Sequence, residues 1–289
     1  MKTISTTAEL HETVLQWRDA GERIALVPTM GNLHEGHLRL IDEAHARAER
    51  IVVSIFVNPM QFSDASAGTG DFKNYPRTLE TDREKLSSMA TDIDVLFTPS
   101  VEEVYPAGIE NETRIVVPEL SSILCGEFRP GHFVGVATIV AKLFNMVQPD
   151  VAVFGEKDYQ QLLVIRRFVS DLCFPIEIVS VPTVREGDRL AMSSRNSYLS
   201  KEERLEAATL NQQLVEAKHS IENGSSDFSL IERQAIKQLK AAGFRPEYFS
   251  VRNADDLQQP KPENKALVIL AAAWLGEARL IDNIQISLR

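Results

Sequence analysis

Cysteine is nearly absent: Cys125 and Cys173 are the only two in 289 residues, and neither belongs to a CxxC or to any metal-type spacing. That excludes a disulfide-stapled scaffold and a thiolate metal centre, and leaves two free thiols expected in a reducing compartment. No apolar run approaches the roughly 18 residues that a membrane helix needs. The opening stretch MKTISTTAELHETVLQW has none of the apolar core of a secretory signal, so a cytoplasmic protein with no membrane partner is expected. Basic charge is in deficit too. Thirty-one Lys and Arg face 41 Asp and Glu, and the net charge of −10 argues against a nucleic-acid partner. An anionic small molecule stays compatible, because a few local cations and a helix N-terminus suffice to hold one. There is no internal repeat and no long linker. The one low-complexity patch, SDASAGTGD (63–71), reads as a mobile surface loop.

What is present is alternation. The apolar run Ile24–Val27 precedes a helical pattern at about 37–48, and IVVSIFVN (51–58) reads as the next strand. A helix bearing Leu79, Leu86 and Met89 leads to DVLFTP (94–99), and the buried-helix pattern of 134–147 leads to VAVFG (151–155). YQQLLVIRRFVSDL followed by IEIVSVP makes one more helix–strand unit. Continuous Val/Ile strands separated by helices predict an α/β fold, a Rossmann-like doubly wound parallel sheet covered on both faces over residues 1–183. Beyond it the pattern changes. Ser200 and Glu203 form a capping box opening a helix to about Glu222, a second helix spans about 228–242, and three β-rich runs follow: YFSVRN, ALVILAAAW and RLIDNIQISL. Residues 184–289 are therefore expected to form a smaller α+β domain.

Ligands of such sheets sit beyond the C-terminal strand ends, where several polar clusters fall. PTMGNLHEGH (28–37) puts His34 and His37 between a strand and a helix. A helix starting near Gly36 would offer unpaired N–H groups to an anion, Gly31 and Gly36 allow close approach, and two imidazoles can donate to phosphate oxygens. The bland alternative is a helix cap with solvated histidines. In VSIFVNPMQF, Asn58 and Gln61 could recognise neutral or carboxylate oxygens, or could simply cap a turn. GEKDYQQ (155–161) offers Gly155, the compact cation of Lys157, Asp158 as an acceptor for a ribose hydroxyl, and Gln161 one helical turn on, against the plain alternative of a charged loop tip. AMSSRN (191–196) joins Ser193, Ser194 and Arg195 in a flap suited to polyphosphate, against the plain alternative of a Ser-rich turn. RPGHFVG opens a helix with Arg129 and His132, either as a functional pair or as a simple N-terminal turn.

Taken together and in this order, PTMGNLHEGH, VSIFVNPMQF, YPRT, RPGHF, FGEKDYQQ, MSSRN and AAAWLGEARLIDN resemble the pantoate–β-alanine ligase family along essentially the whole chain. Within the wider superfamily the histidine stretch corresponds to the HIGH motif, and MSSR takes the place of the KMSKS loop. The resemblance implies a two-step ligation. Pantoate attacks the α-phosphorus of Mg–ATP, pyrophosphate leaves, and β-alanine then displaces AMP from the pantoyl adenylate. It also implies site residues. Met30, Gly31, Asn32, Leu33, His34, Glu35, Gly36 and His37 would line the ATP phosphates, with His37 as proton donor. Gly155, Glu156, Lys157, Asp158, Val184, Met192, Ser193, Ser194 and Arg195 would complete the nucleotide site. His34, His37, Lys157 and Arg195 would neutralise developing charge. Gln61 and Gln161 would hold pantoate, with Gln61 also beside β-alanine, and Asp82 would neighbour Mg²⁺. A homodimer and a C-terminal domain acting as a lid are implied as well. One departure is the patch Ser63–Gly70, several residues longer than the family pattern. Alternatives are an adenylyltransferase of the same superfamily, whose Ser-Ser-Thr signature is not found here, and a non-catalytic nucleotide sensor. A tRNA synthetase would need a tRNA-binding domain and a basic surface.

Overall fold

The computed structural model describes residues 1–62 and 70–288. Most of the low-complexity patch, residues 63–69, lies outside them; its last two residues, Gly70 and Asp71, begin a helix rather than ending a loop.

Six strands make an all-parallel sheet: β1 (Lys2–Ile4), β2 (Ile24–Thr29), β3 (Arg50–Ile55), β4 (Val95–Phe97), β5 (Val151–Gly155) and β6 (Glu177–Val181). Their order is β1-β4-β3-β2-β5-β6, so the winding reverses between β2 and β5. That is the switch point at which doubly wound sheets bind ligands. The connecting helices are α1 (Thr7–Asp19), α2 (Glu35–His45), α3 (Gly70–Asn74), α4 (Leu79–Ser87), α5 (Val101–Val104), α6 (Cys125–Phe128), α7 (His132–Val147) and α8 (Tyr159–Asp171).

β2 shows why the strands read as unbroken apolar runs. Ala25 and Val27 pack in one cluster with Leu40, Ile41 and Ala44 of α2, while Ile24 and Leu26, equally buried, point to the opposite face. Pro28, which has no N–H, is tolerated near the end of this central strand: it pairs with Ser54 of β3, but the pairing with β5 covers only Ala25 and Leu26.

The chain groups into two compact units, one of Met1–Glu156 with Val164–Pro182, the other of Lys157–Leu163 with Thr183–Arg289. In the second, β7 (Arg245–Asn253), β8 (Ala266–Leu275) and β9 (Ala278–Ser287) form an antiparallel sheet in that order. The expected single helix from Ser200 is broken into α9 (Lys201–Glu206) and α10 (Thr209–Glu222), and α11 (Phe228–Ala241) follows. The Ser200–Glu203 capping box is present, and a tightened turn, Leu210 N–H to Ala207 C=O, marks the break. Leu210, Leu214, Ile231, Leu239, Phe249, Val251, Leu267 and Ile269 share this unit's core.

Candidate active site

The histidine turn is built from its backbone upward. Thr29, ending β2, donates its hydroxyl to the Ser54 carbonyl (2.8 Å) and accepts the Gly31 N–H (3.2 Å). Gly31 and Asn32 then both take the left-handed conformation, at φ 80° and 50°. A Cβ at Gly31 would lie 3.1 Å from Asp82 Oδ2 and from Ile55 Cγ2, so any side chain there would be both crowded and strained. Asn32 and Leu33 donate their N–H groups to the two oxygens of Asp82, each at 2.8 Å. Leu33 is buried, and its carbonyl accepts Lys85 Nζ at 2.6 Å.

His34 is the N-cap of α2. Its Nδ1 accepts the Gly36 N–H (3.1 Å), and its own N–H donates to His37 Nδ1 (3.3 Å). The two rings lie 4.1 Å apart at 42°. With both Nδ1 atoms used as acceptors, each neutral imidazole carries its proton on Nε2, the tautomer that donates to an anionic oxygen. This narrows one expectation. The N–H groups of Gly31, His34, Gly36 and His37 are bonded within the turn and those of Asn32 and Leu33 to Asp82, so these six are already engaged. The two ring Nε2–H groups add donors of the kind an anion needs.

Beyond β3, Asn58 caps a short 3₁₀ turn, Pro59–Gln61. Its Oδ1 accepts the Met60 N–H (3.3 Å) and the Tyr105 hydroxyl (2.6 Å). Its Nδ2 donates to the Gly135 carbonyl (3.1 Å) and to Gln61 Oε1 (3.2 Å). Gln61 is thereby left to act as a donor, and its Nε2 lies 2.9 Å from Met30 Sδ. Burial first, and the Glu112 carboxylate second, push the Tyr105 hydroxyl well above its usual range, so it stays a donor. Behind the turn, Arg129 Nη1 lies 3.2 Å from His132 Nε2, and His132 Nδ1 lies 2.9 Å from the Gln61 carbonyl. Arginine only donates, so His132 accepts at Nε2 and donates from Nδ1.

Met30–His37, Gln61, Asp82, Gly155 and Glu156 thus belong to the first unit, where Met30 joins the histidine turn to Gln61 and Asp82 anchors that turn. Lys157, Asp158, Gln161, Val184 and Met192–Arg195 belong to the second. There, Lys157 lies in a 3₁₀ turn, Glu156–Asp158, and its carbonyl accepts Asn283 Nδ2 (3.0 Å); Asp158 is exposed and Gln161 half-buried. Met192 N–H bonds the Val184 carbonyl (3.0 Å), and Ser193 Oγ accepts the Arg195 N–H (3.2 Å) to open a 3₁₀ turn, Ser194–Tyr198. Asn196 ties this flap to Glu186 Oε1 (2.7 Å), and Arg204 bridges Glu186 and Asp188. Sequence reasoning did not single out Tyr105, Thr78, Lys85, Glu186 or Arg204. Each acts on another residue of the site, and only Thr78, in YPRT, stood inside a quoted motif.

A divalent ion fits poorly as a resident cofactor. Among the described residues no group of three or more His, Cys, Asp or Glu is placed to hold one. The Asp82 carboxylate, assigned to a Mg²⁺ neighbour by resemblance, is fully buried and accepts the Thr78 hydroxyl (3.0 Å) besides the two backbone N–H groups.

The family model for pantoate–β-alanine ligase matches residues 2–285. The chain belongs to this family. It is 52% identical over 289 residues to the pantothenate synthetase of Nitrosococcus oceani, spanning 100% of this chain and 99% of that one. Against the Thioalkalivibrio sulfidiphilus enzyme the identity is 53% over 288 residues, with 100% and 99% covered. A crystal structure of the Thermus thermophilus pantothenate synthetase superposes with a TM-score of 0.89 at 44% identity, covering 98% of this chain and 99% of that one. The Francisella tularensis ligase, solved with a β,γ-ATP ligand and β-alanine, gives 0.79 at 33%, covering 98% and 97%. The ligase fold is thus shared along the chain, including the switch-point sheet and the small antiparallel one.

Proposed function

We propose that the chain is an AMP-forming pantoate–β-alanine ligase. The observation that carries this is the reciprocal His34–His37 cap at the switch point, in which both Nδ1 atoms accept N–H groups and each neutral ring keeps its proton on Nε2. The substrates are ATP, entering as Mg–ATP, (R)-pantoate and β-alanine.

In the first step a pantoate carboxylate oxygen attacks the α-phosphorus, and the bond to the β-phosphate bridging oxygen breaks. Pyrophosphate leaves with both electrons of that bond. Negative charge builds on already anionic phosphates, so fixed donors are the main requirement. His34 and His37 meet it from Nε2, His37 serving as proton donor, and Lys157 and Arg195 are assigned the neutralisation of further charge. Gly155, Asp158, Val184 and Met192–Ser194 are assigned to the rest of the nucleotide. Gln61 Nε2 donates to a pantoate oxygen, and Gln161 is assigned the same substrate. In the second step the β-alanine amine attacks the acyl carbon, AMP departs, and one proton is released. The mixed anhydride needs shelter from water, which we assign to closure of the C-terminal domain. A homodimer and a cytoplasmic setting complete the proposal; among the described residues no helix is long and apolar enough to cross a membrane.

Labelled pyrophosphate should exchange into ATP when pantoate is present and β-alanine absent. His37→Ala should slow that exchange about 10²–10⁴-fold. A strict need for β-alanine would rule out the separate adenylation step, and near-normal exchange in the variant would reduce His37 to a helix cap.

A further inference from the structure

We infer that Asp82 is a positioning residue for the histidine turn, and that its carboxylate is engaged by the turn's backbone rather than by the metal of Mg–ATP. The inference rests on the ligase reading above and goes beyond it. Asp82 is 0% exposed, and the hydrogen bonds to its oxygens come from uncharged donors. A buried carboxylate without a cation persists only where donors satisfy it. Three do: the N–H of Asn32 and of Leu33, one on each oxygen, and the Thr78 hydroxyl on Oδ2. The carboxylate also sits in the first turns of α4, where the helix dipole favours negative charge, and its own N–H bonds the Thr78 carbonyl.

The two consecutive amides of Asn32 and Leu33 are the kind of concavity that takes up an anion. Here the anion comes from the chain itself. The consequence runs to the chemistry through short links. The carboxylate holds two left-handed residues, Gly31 and Asn32, that are unfavourable for an L residue at the second position. Lys85, one turn further along α4, pins the Leu33 carbonyl from the other side. The next residue is His34, whose cap sets both rings. α4 therefore works as a clamp, with Asp82 holding the turn's donors and Lys85 its acceptor. The charge sits about 50 residues from the turn in sequence, so no local pattern reveals it.

Three readouts on the full chain decide the matter: amide hydrogen exchange without ATP or Mg²⁺, pyrophosphate exchange, and the Mg²⁺ concentration giving half-maximal rate. Asp82→Asn keeps size but sets an NH₂ group against one of the two amides. Exchange across residues 30–37 should quicken about 10-fold, and the rate should fall about 10–100-fold as the rings lose their placement. The Mg²⁺ requirement should stay at the wild-type value. Should Asp82→Asn fail to fold, Thr78→Val carries the test, since it keeps the charge, removes one donor and should show the same pattern at smaller size. Unchanged amide exchange, or a Mg²⁺ requirement raised about 10-fold, would overturn the proposal. If the wild type shows no pantoate-dependent pyrophosphate exchange, the ligase reading fails by itself, while the amide measurement still reports on the clamp.

Discussion

Asn58 has two donor and two acceptor positions, and all four are filled. Its polarity is therefore fixed, and it passes that polarity to Gln61, which must accept at Oε1 and donate from Nε2. A pantoate oxygen suits that donor. Asn58→Asp would turn the Nδ2 side into an acceptor facing the Gly135 carbonyl and Gln61 Oε1. Gln61 should then flip and meet the substrate with its oxygen, raising the KM for pantoate at least about 10-fold, the loss of a charge-assisted hydrogen bond, with little change in the KM for ATP. Tyr105→Phe removes only one of the two acceptor-side bonds. It should cost about 1 kcal/mol of stability and raise the KM for pantoate only a few-fold. Steady-state kinetics on both substrates and thermal melts check both variants. Equal losses for ATP and pantoate would contradict the relay.

At the scale of elements, α7 owes its place to a glycine. A Cβ at Gly135 would lie 2.5 Å from the carbonyl carbon and oxygen of Met60 and 2.6 Å from Gln61 N, all backbone atoms. Gly135→Ala should push the Pro59–Gln61 turn away, cost about 1–3 kcal/mol, and weaken pantoate binding through displaced Gln61. Calorimetric titration with pantoate beside a thermal melt tests this, and an unchanged affinity would show the turn is not held by α7. The flap anchor in the second unit is sensitive to acid. A hydrogen bond from Arg204 holds the Asp188 carboxyl below its usual range. A lowered carboxylate stabilises the fold above the ordinary aspartate value near 4, and that contribution fades as pH falls through the folded value. The melting-temperature gap between wild type and Asp188→Asn should be constant above about pH 5 and shrink below about pH 4; a gap that widens in acid would contradict the pairing.

Much of this was legible in the chain. The helical pattern at about 37–48 and the strand runs pointed to the sheet, because burial on both faces writes itself as unbroken Val and Ile. α1 was not legible, since it buries only Leu10 and Val14 on an otherwise polar helix. β1 is three residues long and acquires meaning only by pairing with β4. The site followed the same rule. Histidines at a strand-to-helix turn are visible, whereas the Asp82 clamp joins residues about 50 positions apart and the Tyr105–Asn58 bond joins residues 47 apart.

For the whole molecule, the residues assigned to ATP are carried by two units, the histidine turn by one and Lys157 and Arg195 by the other. The proposed event is transfer of the adenylyl group of ATP to a pantoate carboxylate. That event moves an oxygen atom. The attacking carboxylate oxygen becomes the bridge to phosphorus, and when β-alanine breaks the acyl bond the oxygen leaves with AMP. Pantoate carrying ¹⁸O in its carboxylate should therefore yield AMP containing one ¹⁸O per turnover, with unlabelled pyrophosphate, by mass spectrometry of the products. Label recovered in inorganic phosphate, or AMP without label, would contradict carboxylate attack at the α-phosphorus and with it the role given to the histidine turn.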